Sequence, residues 1–139
     1  MVDSAGAMLI TVGDLRFGAR LETGRAPRTC AAFLARMPFR STLVQARWSG
    51  EAGWIPLGDL SFGVAAENQM GDPEPGQVLL YPGGHSETEI LFPYGVTRFA
   101  SKLGALEGNH FLTITEGAAQ FGTLGRHLMW EGAQAISFE

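Results

Sequence analysis

The stretch MLITVGDLRFGARL, residues 8–21, predicts a β-hairpin near the start of the chain. Gly13-Asp14 separates two apolar-rich runs, and glycine at the first position of a two-residue turn supplies the positive φ that tight hairpins need. After the turn, apolar residues alternate with arginines in the order LRFGARL, as expected for a strand with one buried face. The chain is therefore expected to begin with two antiparallel strands.

Similar short apolar runs recur along the rest of the chain, separated by glycine and proline. We expect strands at 43–48, 54–57, 60–64, 77–81, 88–92, 98–103, 109–115 and 134–138. Pro56 indicates an edge or a bulge, Pro93 is expected to end the strand 88–92, and residues 66–76 read as a surface loop. About ten short strands with tight turns are typical of a sandwich or a barrel, and closure of a barrel removes exposed strand edges.

Two helices are predicted between the strands. Pro27 suits a first helical turn, apolar residues recur at helical spacing from Cys30 to Met37, and Pro38 ends the run. A second, short helix is expected to start near Thr115-Glu116, with Thr115 as its N-cap. The barrel core is expected to contain the aromatic residues Tyr81, Phe92, Phe99, Phe111 and Phe138.

The composition fits one globular β domain spanning residues 1–139. Hydrophobic residues make up 45% of the chain, but charged residues only 17%, against about 25% in ordinary soluble domains. This balance argues against disorder. Glycine occurs 19 times, which is roughly double its usual share and argues against a helical bundle.

Charge, hydropathy and cysteine usage exclude several classes of protein. The net charge of −4 argues against a nucleic-acid partner, and no run approaches the ~18 apolar residues of a membrane helix. The segment Met1 to Ala7 has no basic region before an apolar core, so we expect no signal peptide and a cytoplasmic protein. The single cysteine, Cys30, forms no intrachain disulfide and is predicted to be a small packed core residue.

Two segments resemble cyclophilins. The run RAPRTCAAFL, residues 25–34, is similar to the first cyclophilin helix, and LEGNHF, residues 106–111, is similar to the cyclophilin segment Leu-Asp-Gly-Lys-His-Val. The segments RWSGE (47–51), YPGG (81–84), SETEI (86–90) and WEGA (130–133) resemble a bacterial family of uncharacterised cyclophilin-like proteins more closely. The resemblance implies a mainly β, cyclophilin-like fold: a closed or flattened barrel of about eight strands with two short helices capping it.

The resemblance to cyclophilins also implies prolyl cis–trans isomerisation. His110 and Leu106 match pocket residues of that family, and Arg47 lies roughly where its catalytic arginine is expected. Ala105 stands where cyclophilins of the human type carry a tryptophan, and no Phe-Met-x-Gln segment occurs. On this hypothesis, Arg47 and His110 are the catalytic residues.

The residues themselves indicate a binding groove. Arg47 and Glu51 flank a predicted turn beside Trp48 and Trp54, which is typical either of a recessed site for a carboxylate or amide or of an ion pair at a hairpin tip. His85 precedes Glu87 and Glu89, which strand alternation places on one face. These two carboxylates act as ligands or acid–base groups if that face lines a groove, and are otherwise solvated.

Three functions follow from these patterns. The first is a groove that binds a small polar or carboxylate ligand. Its predicted residues are Arg47, Trp48, Glu51, Trp54, His85, Glu87, Glu89, Arg98, Leu106 and His110. The second is a degenerate prolyl isomerase with a peptide ligand, and the third is a non-catalytic interaction module, compatible with a homo-oligomer. No H-x-x-x-H or C-x-x-C spacing occurs, so we expect no metal and no cofactor.

Overall fold

A computed structural model describes residues 7–139 of the chain. The expectation about a signal peptide rests on residues 1–7, of which all but the last lie outside this range. Within residues 7–139, no helix has the length and apolar character needed to cross a membrane.

Strands dominate the described residues. In chain order they are β1 Ala7–Val12, β2 Leu15–Leu21, β3 Phe39–Gln45, β4 Gly50–Gly58, β5 Gln69–Met70, β6 Gln77–Tyr81, β7 Thr88–Thr97, β8 Ala100–Ser101, β9 Gly104–Ala105, β10 Gly108–Glu116 and β11 Gln134–Phe138. Helix α1 spans Pro27–Leu34. A second helical segment combines a 3-10 turn at Ala118–Gln120, helix α2 at Phe121–Arg126 and a π-helical turn at His127–Glu131.

Eight of these strands form a closed antiparallel barrel. Their order around it is β2-β1-β11-β3-β4-β7-β6-β10, and β10 pairs again with β2. Strand β5 extends the sheet by pairing with the start of β10, and β8 and β9 form a separate small hairpin. The predicted mainly β barrel of about eight strands with two short helices is therefore confirmed. The first hairpin also folds as predicted, with Met8 paired to Ala19 and φ of +57° at Gly13.

The two helical segments lie at opposite ends of the barrel. Helix α1 joins β2 to β3, whereas the second segment joins β10 to β11. Neighbouring barrel strands are antiparallel, so these two connections leave from opposite ends. Phe33 of α1 enters one end against Phe111 and Phe138, and Phe121 of α2 packs on Phe17 at the other.

A second apolar cluster lies outside the barrel, on the outer face of β4, β6 and β7. Its members are Ala52, Leu79, Tyr81, Leu91, Phe99 and Leu106. The segment 98–107, which contains the small β8–β9 hairpin, covers this face. Gly108 permits the close approach, because a Cβ there would lie 2.9 Å from both Leu79 Cβ and the Phe99 ring. Phe92, Phe111 and Phe138 line the interior as predicted, but Tyr81 and Phe99 belong to the outer cluster.

Several predicted boundaries are wrong for identifiable physical reasons. Residues 60–64 form no strand, because Phe62 instead turns into the core beside Phe33. Pro93 does not end β7; it lies beside a register shift in the β4–β7 ladder, where a missing N–H donor is tolerated. The bulge predicted at Pro56 is present as a second register shift in the same ladder.

The predicted helix ends and the predicted loop also differ from the structure. Helix α1 stops at Leu34, short of Met37. Thr115 is no N-cap, since β10 continues through it and its hydroxyl donates to the Gly18 carbonyl. The loop 66–76 contributes β5, and the predicted strand 98–103 is reduced to β8.

Cys30 is a buried core residue, as predicted. It is 1% exposed, and its thiol donates a weak hydrogen bond to the Phe111 carbonyl at 3.4 Å. Burial raises the pKa of the thiol to about 11, so it stays protonated and unreactive at neutral pH.

Candidate functional site

A cavity of about 250 Å³ opens on the outer face of the barrel, where β4 and β7 pair. Trp54 and Leu91 are register partners and form its apolar floor. The β8–β9 hairpin contributes Ala100 to Lys102 at one side, and the β3–β4 connection contributes Ala46 to Ser49. The cavity is thus built from alternate residues of strands whose other face fills the barrel interior.

Four charged side chains line this cavity. Arg47 comes from the β3–β4 connection and Lys102 from the β8–β9 hairpin. Glu87 directly precedes β7, and Glu89 is the second residue of that strand. The β3–β4 connection and the start of β7 lie at opposite ends of the barrel, so the cations and the carboxylates approach from different directions. Among the described residues, neither Arg47 nor Lys102 has a carboxylate oxygen within 4.0 Å. The cavity therefore contains opposite charges that do not neutralise each other.

Glu89 is the buried acid of the cavity. Only 5% of the surface of Glu89 is exposed to solvent. Burial and, to a smaller extent, the nearby Glu87 carboxylate raise the pKa of its carboxyl to about 7, although the Trp54 indole acts in the opposite direction. A carboxyl with a pKa near neutrality can accept or donate a proton at physiological pH.

The indole N–H of Trp54 is an unused donor in the same cavity. Its nitrogen is buried and has no hydrogen-bond partner of normal geometry among residues 7–139. It nevertheless lies near enough to Glu89 to lower the pKa of that carboxyl. An unsatisfied buried donor costs free energy, and a bound acceptor would recover it.

Arg47 and Trp48 form the exposed rim of the cavity. The Arg47 guanidinium lies 5.2 Å from the centre of the Trp48 ring, within the range of a cation–π contact. Trp48 is 52% exposed, which is unusual for so large an apolar side chain. The ring holds the guanidinium at the cavity mouth while its N–H groups remain free to bind an anion.

Five of the predicted site residues thus line one cavity: Arg47, Trp48, Trp54, Glu87 and Glu89. The others lie elsewhere. Glu51 is turned toward β7, where its carboxylate accepts the Val96 N–H at 2.8 Å, and Arg98 pairs with the exposed Asp72 at 3.0 Å. The alternative to a binding groove, an ion pair between Arg47 and Glu51, is absent from the described residues. His85 lies in the turn before β7, where its backbone N–H donates to the Tyr81 hydroxyl.

Leu106 and His110 do not line the cavity with Arg47. Leu106 is buried in the outer apolar cluster, under the β8–β9 hairpin. His110 lies on β10, which β6 separates from β7, and its Nε2 is 2.7 Å from the Thr113 hydroxyl. That hydroxyl also donates to Glu22, and burial lowers the pKa of His110. Arg47 and His110 therefore do not line this cavity together.

The cavity lining also contains polar residues outside the predicted set: Lys102 and the three serines Ser49, Ser86 and Ser101. Lys102 is the one lysine of the chain, and with Leu103 it forms the two-residue turn between Ser101 of β8 and Gly104 of β9. A residue in such a turn projects its side chain away from the hairpin. That the Lys102 side chain lies over the cavity depends on how segment 98–107 packs against the barrel, which the sequence does not reveal. Within residues 7–139, no three His, Cys, Asp or Glu side chains gather as they would around a metal ion.

Residues 8–139 match the model of a family described as a protein of unknown function, DUF3830. The chain belongs to the DUF3830 family. No curated protein matches this DUF3830 chain. The family assignment carries no activity, and neither the resemblance to cyclophilins nor a bacterial source follows from it.

Two solved structures share the fold of this DUF3830 chain. McbB, solved in complex with tryptophan, is 15% identical with a TM-score of 0.69, and the match covers 95% of this chain but 44% of McbB. The hypothetical protein AF2241 from Archaeoglobus fulgidus is 18% identical with a TM-score of 0.59, and the match covers 99% of this chain and 96% of that one. The chain spans less than half of McbB, and identities this low show a common fold alone.

Proposed function

We propose that this DUF3830 protein binds a small organic carboxylate in the cavity on the outer face of β4 and β7. The observation that carries the proposal is the pair of cations, Arg47 and Lys102, which face a recessed, partly apolar cavity without a carboxylate partner among the described residues. A guanidinium and an ammonium in such a place are complementary to an anion.

The walls favour a ligand with an apolar or aromatic body. Trp48, Trp54 and Leu91 supply large apolar surfaces, and the barrel interior offers no competing space because it is filled by buried side chains. Small-molecule sites typically combine such apolar walls with a few polar groups that fix orientation. One protein of the same fold, McbB, has been solved in complex with tryptophan, which makes indole-bearing acids reasonable probes beside phenyl-bearing ones.

Replacing Arg47 by alanine is expected to weaken the binding of 3-phenylpropanoate or indole-3-propanoate about tenfold or more. The reason is the loss of a charge-assisted hydrogen bond, which is worth about 1.5–3 kcal/mol. Titration of each acid, followed by ligand-observed NMR, gives the two dissociation constants.

Arg40→Ala is the matched control for that experiment. Arg40 lies on β3, its side chain is 69% exposed, and its nearest carboxylate is that of Glu139 at 4.0 Å. The control is expected to bind as the parent does. If the Arg47 and Arg40 variants bind the acids with equal affinity, the carboxylate does not bind at Arg47. If the parent protein binds neither acid, the proposal is wrong.

The same samples test the isomerase alternative. Uncatalysed exchange of an Xaa-Pro bond takes tens of seconds or longer, so NMR exchange on a short proline peptide reveals modest catalysis. Acceleration that disappears in the Arg47→Ala variant would replace ligand binding by prolyl isomerisation as the function of this site.

A further inference from the structure

We infer that the ligand of this cavity carries an amino group as well as a carboxylate, and that Glu89 and Glu87 bind that amino group. This inference deepens the proposed function and rests on it. The ligands of this cavity are then amino acids, or other small molecules that carry one ammonium group and one carboxylate.

The arrangement of charge is the first argument. Two cations and two carboxylates line one cavity, yet among residues 7–139 no atom pair between them comes within the 4.0 Å of an ion pair. Arg47, Lys102 and Glu87 are exposed, whereas Glu89 is buried, so the cavity offers cations at its mouth and a carboxylate deeper inside. Here Glu89 is held by strand β7, and Arg47 is held against the Trp48 ring. A zwitterion between them satisfies both ends at once, whereas a simple carboxylate leaves the acidic end unpaired.

The state of Glu89 is the second argument. It is a buried acid that lines the cavity, and the Trp54 indole beside it carries no charge that could neutralise the carboxylate. Burying a charged carboxylate without a partner is costly, and an ammonium group at hydrogen-bond distance removes that cost. Glu87, the second carboxylate, is more exposed and accepts a long hydrogen bond of 3.4 Å from the Gly58 N–H, so it remains available to the same ammonium.

The test compares three probes that differ by one group each: L-phenylalanine, 3-phenylpropanoate and 2-phenylethylamine. Titration calorimetry on the full chain at pH 7.5 gives their dissociation constants. We expect L-phenylalanine to bind about tenfold more tightly than 3-phenylpropanoate, because it adds a charge-assisted contact, and 2-phenylethylamine to bind weakly.

Glu89→Gln separates this inference from the proposed function. Glutamine preserves shape and removes the charge, so the variant is expected to bind L-phenylalanine no better than 3-phenylpropanoate. Glu74→Gln, at an exposed position outside the cavity, is the control and is expected to keep the tenfold preference.

The two possible failures are distinguishable. If 3-phenylpropanoate binds and L-phenylalanine binds equally well or worse, the carboxylate site stands and the amino-group inference is overturned. If none of the three probes binds, both are overturned. A preference for L-phenylalanine that survives Glu89→Gln also overturns the role of Glu89.

Discussion

Replacing Phe33 by alanine lowers the free energy of unfolding by an expected 3–5 kcal/mol, that is, by about the cost of emptying a large aromatic site in a close-packed core. Phe33 is fully buried, and its ring stands edge-to-face to Phe111 at 5.0 Å and to Phe138 at 5.1 Å. It is the side chain through which α1 closes its end of the barrel. Since domains are stable by only about 5–15 kcal/mol, this loss brings the protein close to unfolding at ambient temperature.

Urea unfolding followed by tryptophan fluorescence measures this loss directly. Leu103→Ala is the control, because Leu103 is 57% exposed at the tip of the β8–β9 hairpin and its truncation is expected to change the free energy by less than about 0.5 kcal/mol. A loss below about 1 kcal/mol for Phe33→Ala would mean that the barrel end is held closed without α1.

The second large effect is a fall in stability as the pH rises from 5 to 8, caused by Glu89. Its pKa is about 7 in the folded chain and about 4.5 when unfolded, so between these values the folded state holds a proton that the unfolded state has released. Stability therefore decreases with increasing pH across that interval. The shift corresponds to about 3 kcal/mol at full ionisation.

Glu89→Gln removes this pH dependence. The variant is expected to match the parent near pH 4 and to be more stable by up to about 3 kcal/mol at pH 8. His110 changes stability with the opposite sign, because burial lowers its pKa, but it does so equally in parent and variant and cancels in the difference. Glu74→Gln should retain the parent's profile in parallel urea titrations at each pH. A difference between parent and Glu89→Gln that does not grow with pH would contradict the raised pKa.

The strands that sequence patterns predict well are those governed by local chemistry. The hairpin at 8–21 alternates apolar and polar residues after its glycine turn, and the strand 77–81, between Gly76 and Pro82, contains a continuous apolar run; both fold as predicted. Residues 60–64 show the same kind of pattern, yet long-range packing of Phe62 against Phe33 overrides it. Pro93 fails as a breaker for a similar reason, because only the register of β4 against β7 reveals the irregular position that tolerates it.

Strand alternation predicts part of the candidate site, namely the side chains that share one face of a strand. Glu87 and Glu89 were expected on one face, and both line the cavity. Arg47, Trp48 and Trp54 were expected close together because they flank one turn. Lys102 was not foreseeable, since its place depends on how segment 98–107 folds back over the outer face. The same dependence on tertiary structure separates His110 from Arg47, although the resemblance implied that they act together.

The outer face and the interior of this barrel share the same strands, residue by residue. In β4 and β7, Ile55 and Ile90 face inward, and Trp54 and Glu89 face outward. Substitutions at successive positions of these strands therefore act on different parts of the molecule. Inward positions change the packing of the barrel interior, and outward positions change the cavity. The separation is incomplete, because Ala52 and Leu91 on the outward side also belong to the buried outer cluster.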